Sequence, residues 1–496
     1  MIEAVKRIAP IVLPMIAVDR RAARPLHKQI YDSFRSAIVN GSLRPAQRVP
    51  SSRVLALELG VSRFPILNAY AQLLAEGFFE SRVGAGTIVA GSLPQRATSS
   101  PPNIATRTAA GSGPRVVSRG ASSLPRFERP AWLGWGAFGV GQVALDQFPV
   151  HDWSRVVSRR NRNMDITSFR YGDPLGLGAL RQAVASYLRT ARSLRCEADQ
   201  IMIVSGSQHA LEISARVLLD PGDSVWMEEP GYRFAQQIFK LNGSVLVPIP
   251  VDKEGLDVAA GIKACRKARL AFVTPSHQFP LGVTMSASRR LQLLDWARSN
   301  GSWIIEDDYD SEYRYESFPV APLQGVDSSA RVIYIGTFSK VLFPSLRIGY
   351  VVIPPDLINS FLAVRRAMDL CPPAFSQGVL ADFIGEGHFA RHIRRMKILY
   401  RERRNMLVAS IDRELGSMVE VLGSEAGMHL TVALPKGVRD VEIARKAALQ
   451  NVWMWPLSPS YMGEGSRPGL ILGFGSAAAS DIPRAFRKLR NVLIAK

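Results

Sequence analysis

The run Val332-Ile333-Tyr334-Ile335-Gly336-Thr337-Phe338-Ser339-Lys340-Val341-Leu342-Phe343-Pro344-Ser345-Leu346-Arg347-Ile348-Gly349-Tyr350 places one lysine just past a strand-like apolar stretch. The hydroxyls of Thr337 and Ser339 stand beside it, and Arg347 follows seven residues later, before a second apolar run. An amine at a strand's exit can condense with an aldehyde, while hydroxyls and a guanidinium can hold a phosphate. Pyridoxal phosphate carries both groups.

The chain has 496 residues, enough for two or three domains, and is 47% hydrophobic, enough for a large core. Its 62 Lys+Arg against 42 Asp+Glu give a net charge of +20, which points to a polyanionic partner such as nucleic acid. Cys196, Cys265 and Cys371 are scattered and lack metal-ligand spacing, so neither a disulfide framework nor a metal is expected. No apolar run approaches a membrane span, and Pro10 and Pro14 interrupt the Ile8–Val18 stretch that faintly imitates a signal peptide. A cytoplasmic protein with no membrane contact is expected.

Between Pro25 and Ala90 the pattern is helix, turn, helix, hairpin. Leu26, Ile30, Phe34, Ile38 and Val39 recur at helical spacing before Gly41. Pro50-Ser51-Ser52 caps a short helix carrying Val54, Leu55, Ala56 and Leu59, and Gly60-Val61 turns the chain. Ser62 heads a third helix with Ile66, Leu67, Ala69, Tyr70, Leu73 and Leu74 expected inward. Phe78–Arg82 and Thr87–Val89 form a hairpin about Gly84-Ala85-Gly86. This is a winged helix-turn-helix, whose third helix fits the major groove. Arg53, Ser62, Arg63 and Arg82 are the candidate contacts to double-stranded operator DNA.

The motifs Pro25-Leu26-His27-Lys28-Gln29-Ile30-Tyr31, Gly41-Ser42-Leu43, Arg48-Val49-Pro50-Ser51-Ser52-Arg53, Leu59-Gly60-Val61-Ser62-Arg63 and Ala75-Glu76-Gly77 resemble the GntR-type DNA-binding domain. Phe64-Pro65 depart from it, standing where that family carries small polar residues and threonine. A proline in the first helical turn loses no intrahelical hydrogen bond, so the helix should survive. An arm (1–23), a winged domain (24–90) and a flexible basic linker (91–129), rich in Ser, Pro, Gly and Arg, are expected.

Gly134-Trp135-Gly136-Ala137-Phe138-Gly139 matches G-x-G-x-x-G without the strand and helix that a dinucleotide site requires, so it is set aside. From Trp153 to Ile353 strands alternate with helices, at Ile201–Val204, Val225–Met227, Val245–Val247, Leu270–Val273, Trp303–Ile305, Val332–Ile335 and Ile348–Ile353. That predicts a largely parallel sheet covered on both faces, with sites at the carboxyl ends of its strands.

Candidate groups follow those strands. Gly206, Ser207 and Gln208 open a helix and form an anion cradle. His209 reads as a structural neighbour. Tyr232 can stack on a ring. Gln278 or His277 can reach the cofactor's phenolic oxygen, and the sequence does not separate them. A carboxylate of Glu306-Asp307-Asp308 can pair with a pyridine nitrogen, and Tyr309 lies two residues past Asp307 on the same side of an extended chain.

With Thr337, Ser339, Lys340 and Arg347, and with Tyr171-Gly172-Asp173-Pro174, Gly176, Leu180 and Arg181, these motifs resemble fold-type I pyridoxal phosphate enzymes of the class I and II aminotransferase kind. The resemblance implies Lys340 as the cofactor-linking lysine, Asp307 as the pyridinium partner, Tyr309 as a phenol contact, Tyr232 as the stacking ring and Arg347 as a phosphate ligand. It spans 130–496, with a small α+β subdomain from about 354. Joined to a GntR-type head, the body resembles the MocR subfamily of transcription regulators, which implies a head-to-tail homodimer. Leu470-Ile471-Leu472-Gly473-Phe474 lacks the arginine such enzymes use to grip a substrate carboxylate; Arg467 is a possible substitute.

A pyridoxal phosphate-dependent regulator sensing a small amino compound, or the cofactor itself, is therefore expected. The alternative is a working aminotransferase with an attached regulatory head. A DNA-binding protein with a cofactor-free body is disfavoured by the intact pocket set.

Overall fold

The computed structural model describes residues 16–82, 86–91, 117–125, 130–164, 166–315, 320–463 and 465–494, without the side chains of 82, 167 and 168. The chain divides into two units, up to residue 116 and from 117 onward.

In the first unit, helical spacing produces α1 (Leu26–Val39), α2 (Ser52–Glu58) and α3 (Arg63–Ala75). Each is followed by a glycine at positive φ, Gly41, Gly60 and Gly77, where the chain turns away. The Ser51 hydroxyl caps α2 by accepting from the Val54 N–H at 3.3 Å. Pro65 sits in the first turn of α3 without breaking it, as its missing N–H requires. Strands β1 (Phe79–Arg82) and β2 (Gly86–Val89) pair antiparallel, with Phe79 opposite Val89. Phe34, Tyr70 and Phe79 meet edge to face, with centroids 5.2–5.5 Å apart, and lock helices to hairpin. Residues before α1 join this unit: Gln29 binds the Asp19 and Arg24 carbonyls at 2.9 and 2.7 Å.

Two of the side chains expected inward, Leu67 and Leu74, face solvent instead, and so does Val54. Leu67 and Leu74 lie on the outer flank of α3, and Val54 on that of α2. Two short helices crossing at one corner bury only a narrow stripe each, and Leu55 alone is buried from α2.

In the second unit, helices α4 (Val150–Arg162), α5 (Gly178–Arg192), α6 (Ser207–Leu218), α7 (Arg233–Leu241), α8 (Val258–Cys265) and α9 (Ala287–Asn300) surround a mixed sheet. Its strands are β3 (Ile201–Val204), β4 (Ser224–Glu229), β5 (Val245–Asp252), β6 (Gly255–Leu256), β7 (Leu270–Val273), β8 (Trp303–Asp308), β9 (Val332–Thr337) and β10 (Gly349–Val352). They lie in the order β3-β10-β9-β8-β7-β4-β5-β6. Alternation along each strand divides the core. Leu270 and Phe272 face α6 and α7, while Ala271 and Val273 face α8 and α9.

The sheet is less parallel than the strand–helix alternation predicts. Strands β9, β8, β7, β4 and β5 run parallel, but β10 lies antiparallel between β9 and β3. The eleven residues between β9 and β10 include a single 3-10 turn, too short for the long crossover that a parallel return demands.

Beyond β10 come α10 (Ile358–Met368), α11 (Ala374–Gly385) and α12 (His388–Leu415). Strands β11 (Glu420–Leu422), β12 (His429–Ala433), β13 (Trp455–Pro456) and β14 (Gly469–Gly473) form an antiparallel sheet ordered β11-β12-β14-β13. Helices α13 (Asp440–Ala448) and α14 (Ile482–Ile494) share its core with Leu430, Val432, Leu470 and Leu472.

The G-x-G-x-x-G stretch serves packing. A Cβ on Gly134 would come 2.5 Å from the Trp453 indole, and Phe138 bridges to Gly473 of β14. Within the stretch expected as linker, Arg119–Ser122 forms one helical turn capped by Ser118.

Phe34→Ala should remove about 3–5 kcal/mol from the first unit. Denaturant unfolding of the full chain should then show an early transition for that unit, with the main transition unmoved.

Candidate functional site

The antiparallel insertion of β10 decides where the pocket lies. Gly349 at its start pairs with Thr337 at the end of β9 and Val204 at the end of β3. Arg347, just ahead of β10, therefore reaches the same edge as Lys340 and the Ser205-Gly206 turn. At this edge lies a cavity of about 200 Å³. Lys340, Asp307, Tyr309, Tyr232, Arg347 and Thr337 line it, together with Ser207, Gln208 and Ser339.

Alternation sorts the acidic run at the end of β8. Glu306 turns away and accepts from the Leu323 and Gln324 N–H groups at 2.9 and 3.0 Å. Asp308 turns the same way and is held by Arg192 and by the Tyr334 hydroxyl, each at 2.6 Å. That guanidinium keeps its carboxyl below the usual range, against the opposing effect of burial. Asp307 alone faces the cavity. Burial, with Asp308 nearby, pushes its carboxyl up to about 7 despite the attraction of Lys340. Its Oδ1 is buried without a hydrogen-bond partner.

The Lys340 amine donates to the Gly141 carbonyl at 3.0 Å. Burial lowers its pKa, and Arg347 acts in the same direction. Both changes favour the neutral, nucleophilic amine. A Cβ on Gly141, whose φ is +70°, would run into this amine.

The anion end is built from α6. Gly206, with φ +89°, precedes Ser207, and no side chain caps the helix, so its first N–H groups stay free. Arg347 donates to the Ser205 carbonyl at 2.6 Å, and a Cβ on Gly206 would press on its guanidinium at 3.1 Å. The Ser339 hydroxyl and Gln208 Nε2 are buried with no partner. His209 accepts the Ser205 N–H at 3.2 Å, a structural contact as the sequence suggests.

These orphaned groups form a matched set. An unpaired carboxylate suits a pyridinium N–H, an unshielded helix start with a guanidinium and hydroxyls suits a phosphate, and a neutral lysine suits an aldehyde. Pyridoxal phosphate fits the residues present.

Gln278 does not belong to this set. Its Nε2 donates to the Pro230 and Phe279 carbonyls at 2.9 and 2.7 Å, and its Oε1 accepts from Leu281 N–H at 3.0 Å. With both ends of the amide committed to loop backbone, it braces the cavity wall and does not line it. His277 is also held back, bound through Nδ1 to Asp310 at 3.2 Å. Its carbonyl accepts from the Tyr309 hydroxyl at 2.9 Å. Arg467 lies away from the cavity, paired at 2.5 Å with Glu420.

Several lining residues escaped the sequence reading. His429 and Trp455 come from the small sheet, and Phe279 follows Gln278. No local motif marks them, because only long-range packing brings them to β8.

On the winged unit, Arg53, Ser62 and Arg63 are exposed at the starts of α2 and α3. Arg63 Nε donates to the Ser52 hydroxyl at 3.0 Å, which ties the guanidinium to the start of α2. Ser62 holds the N-cap position of α3, yet its side chain bonds to no helical N–H. Phe64 projects beside them, 71% exposed. The Arg82 side chain lies outside the described residues.

Known proteins share both halves. The model for bacterial regulatory proteins of the gntR family matches residues 26–89, and that for aminotransferase class I and II matches 136–468. The chain is 39% identical to the probable rhizopine catabolism regulatory protein MocR of Rhizobium meliloti, over 97% of this chain and 96% of that one. It is 29% identical to the pyridoxine biosynthesis regulator PdxR of Corynebacterium glutamicum, over 93% and 94%. A crystal structure of α-aminoadipate aminotransferase from Thermus thermophilus, solved with N-(5'-phosphopyridoxyl)-L-leucine, superposes with a TM-score of 0.69 at 27% identity, covering 76% of this chain and 97% of that one.

Asp307→Asn tests the electrostatics without cofactor. A carboxyl raised in the folded state binds a proton that the unfolded chain releases above about pH 4, so its contribution to stability falls as pH rises from about 4 to 7. The substitution should stabilise the cofactor-free chain at pH 8 by up to about 4 kcal/mol, and by far less at pH 4, in denaturant titrations.

Proposed function

This chain belongs to the MocR subfamily of GntR-type transcriptional regulators, and from that premise we propose how its parts divide the work. The protein is a pyridoxal phosphate-dependent DNA-binding regulator. The winged unit binds operator DNA and the aminotransferase-like body binds the cofactor. The observation that carries this reading is the buried, unpartnered carboxylate of Asp307, in one cavity with the Lys340 amine and with an uncapped helix start beside Arg347.

Each residue then has a stated task. Lys340 attaches the cofactor, and its lowered pKa keeps the amine ready. Asp307 would accept a hydrogen bond from the ring N–H and hold that nitrogen charged. Ser207, Gln208, Thr337, Ser339 and Arg347 surround the phosphate, with Gly206 leaving room for the guanidinium. Tyr232 would stack on the ring, and Tyr309, fixed by the His277 carbonyl, would bond its phenolic oxygen. When bound, the cofactor supplies an aldehyde that exchanges between amines and a ring that withdraws electrons.

Arg63 and Ser62 reach the major groove from the start of α3, while Arg53 and Arg82 contact phosphates. Phe64 offers an apolar face to a thymine methyl. A small amino compound acts as effector by binding one conformation of the regulator better than another. The working form is a head-to-tail homodimer. Ile166, Phe169 and Tyr171 support an interface, since three large apolar side chains stand exposed within one short stretch.

Purified protein should show the near-visible absorbance of a lysine-bound cofactor, and Lys340→Ala should abolish it; an unchanged band would remove Lys340 from this role. Arg63→Ala should weaken operator binding by about 1–3 kcal/mol at matched salt in a titration with labelled duplex.

A further inference from the structure

We propose that the effector is a primary amine with an apolar body and no carboxylate. The inference rests on the cofactor reading above and concerns the cavity wall opposite the phosphate end.

That wall is the face of the small sheet turned toward the large one. Alternation places His429 and Thr431 of β12 on it, with Gly473 and Ile471 of β14 opposite them. Trp455 of β13 pairs with Ile471 on the other side. Ile471 is fully buried and clusters with Phe279 and Leu457. The alternate residues Leu470 and Leu472 point into the helical core behind. The row carries no lysine or arginine, and Ile471 lies just behind the lining residues Phe279 and Trp455.

The polar members of the row offer no charge either. Thr431 donates its hydroxyl to the Pro280 carbonyl at 2.6 Å, and His429 Nε2 lies 3.2 Å from the same oxygen. Burial and neighbouring His277 hold His429 neutral. Arg467, the sequence candidate for gripping a carboxylate, is exposed and paired with Glu420. Among the described lining residues, Lys340 and Arg347 are the cations, and both belong to the cofactor.

A ligand carboxylate here would be desolvated without a guanidinium, in a cavity that Asp310 also lines. An amine has the opposite preference. Its nitrogen would meet the cofactor's aldehyde beside Lys340, and its body would meet Phe279, Trp455, Val140 and Met428. Burying a carboxylate without a paired charge costs far more than burying the same apolar body without it.

The test uses the full chain, loaded with pyridoxal phosphate, and two probes that differ only by a carboxylate: 2-phenylethylamine and L-phenylalanine. Loading is first verified by the near-visible band; its absence would overturn the cofactor reading itself, and this inference with it. Calorimetric titration of loaded protein should then give at least about tenfold tighter binding for the amine. Equal or tighter binding of phenylalanine, or no binding of the amine at millimolar concentration, overturns the proposal while leaving the cofactor reading intact. Ile471→Arg should reverse the preference toward phenylalanine. Trp455→Ala, which trims the same wall, should weaken the amine by about tenfold, and unchanged affinity would count against the proposal.

Discussion

One antiparallel strand organises the site. Strand β10 runs against its neighbours β9 and β3, so the start of β10 meets the ends of both. Groups that a purely parallel sheet would place at opposite edges are thereby gathered at one edge. Arg347 arrives next to the start of α6, and Lys340 arrives opposite Asp307. The result is a set of polar groups buried without partners, which is costly in a folded protein unless something completes them. Pyridoxal phosphate completes them, because its ring nitrogen, phosphate and aldehyde match the carboxylate, the helix start and the amine respectively.

Much of this was legible because it is local. Lys340, Arg347 and the Ser205-Gly206-Ser207 turn each follow or precede a continuous apolar run, and such runs become buried strands. The Asp307–Tyr309 spacing follows from the period of two along β8. The antiparallel course of β10 is not legible there, because strand–helix alternation is a statement about crossovers and the chain between β9 and β10 contains none. Gln278 and His277 could not be separated for a different reason. Their roles are set by the Pro230 carbonyl and by Asp310, 48 and 33 residues distant. His429 and Trp455 lie farther still along the chain and carry no local mark. In the winged unit, helix existence followed from periodicity, yet Leu67 and Leu74 turned outward because a small three-helix core covers only one stripe of α3.

The two units answer different physical problems. The first presents charge and an exposed aromatic on a rigid helix, held by the Phe34–Tyr70–Phe79 cluster. The second hides charge in a cavity whose occupancy changes its electrostatics. Regulation requires that these be coupled, and coupling is a difference in ligand affinity between conformations, reciprocal between cofactor or effector and DNA. An uncompensated carboxylate with a pKa near 7 provides a source of such a difference, since its energy depends on what occupies the cavity.

The most direct measurement is operator affinity for the same preparation, with pyridoxal phosphate bound and after its removal, at one salt concentration and pH. The account predicts affinities that differ at least about fivefold, with the loaded value restored on adding cofactor back. Identical affinities in the two forms would contradict the claim that the aminotransferase-like body governs DNA binding.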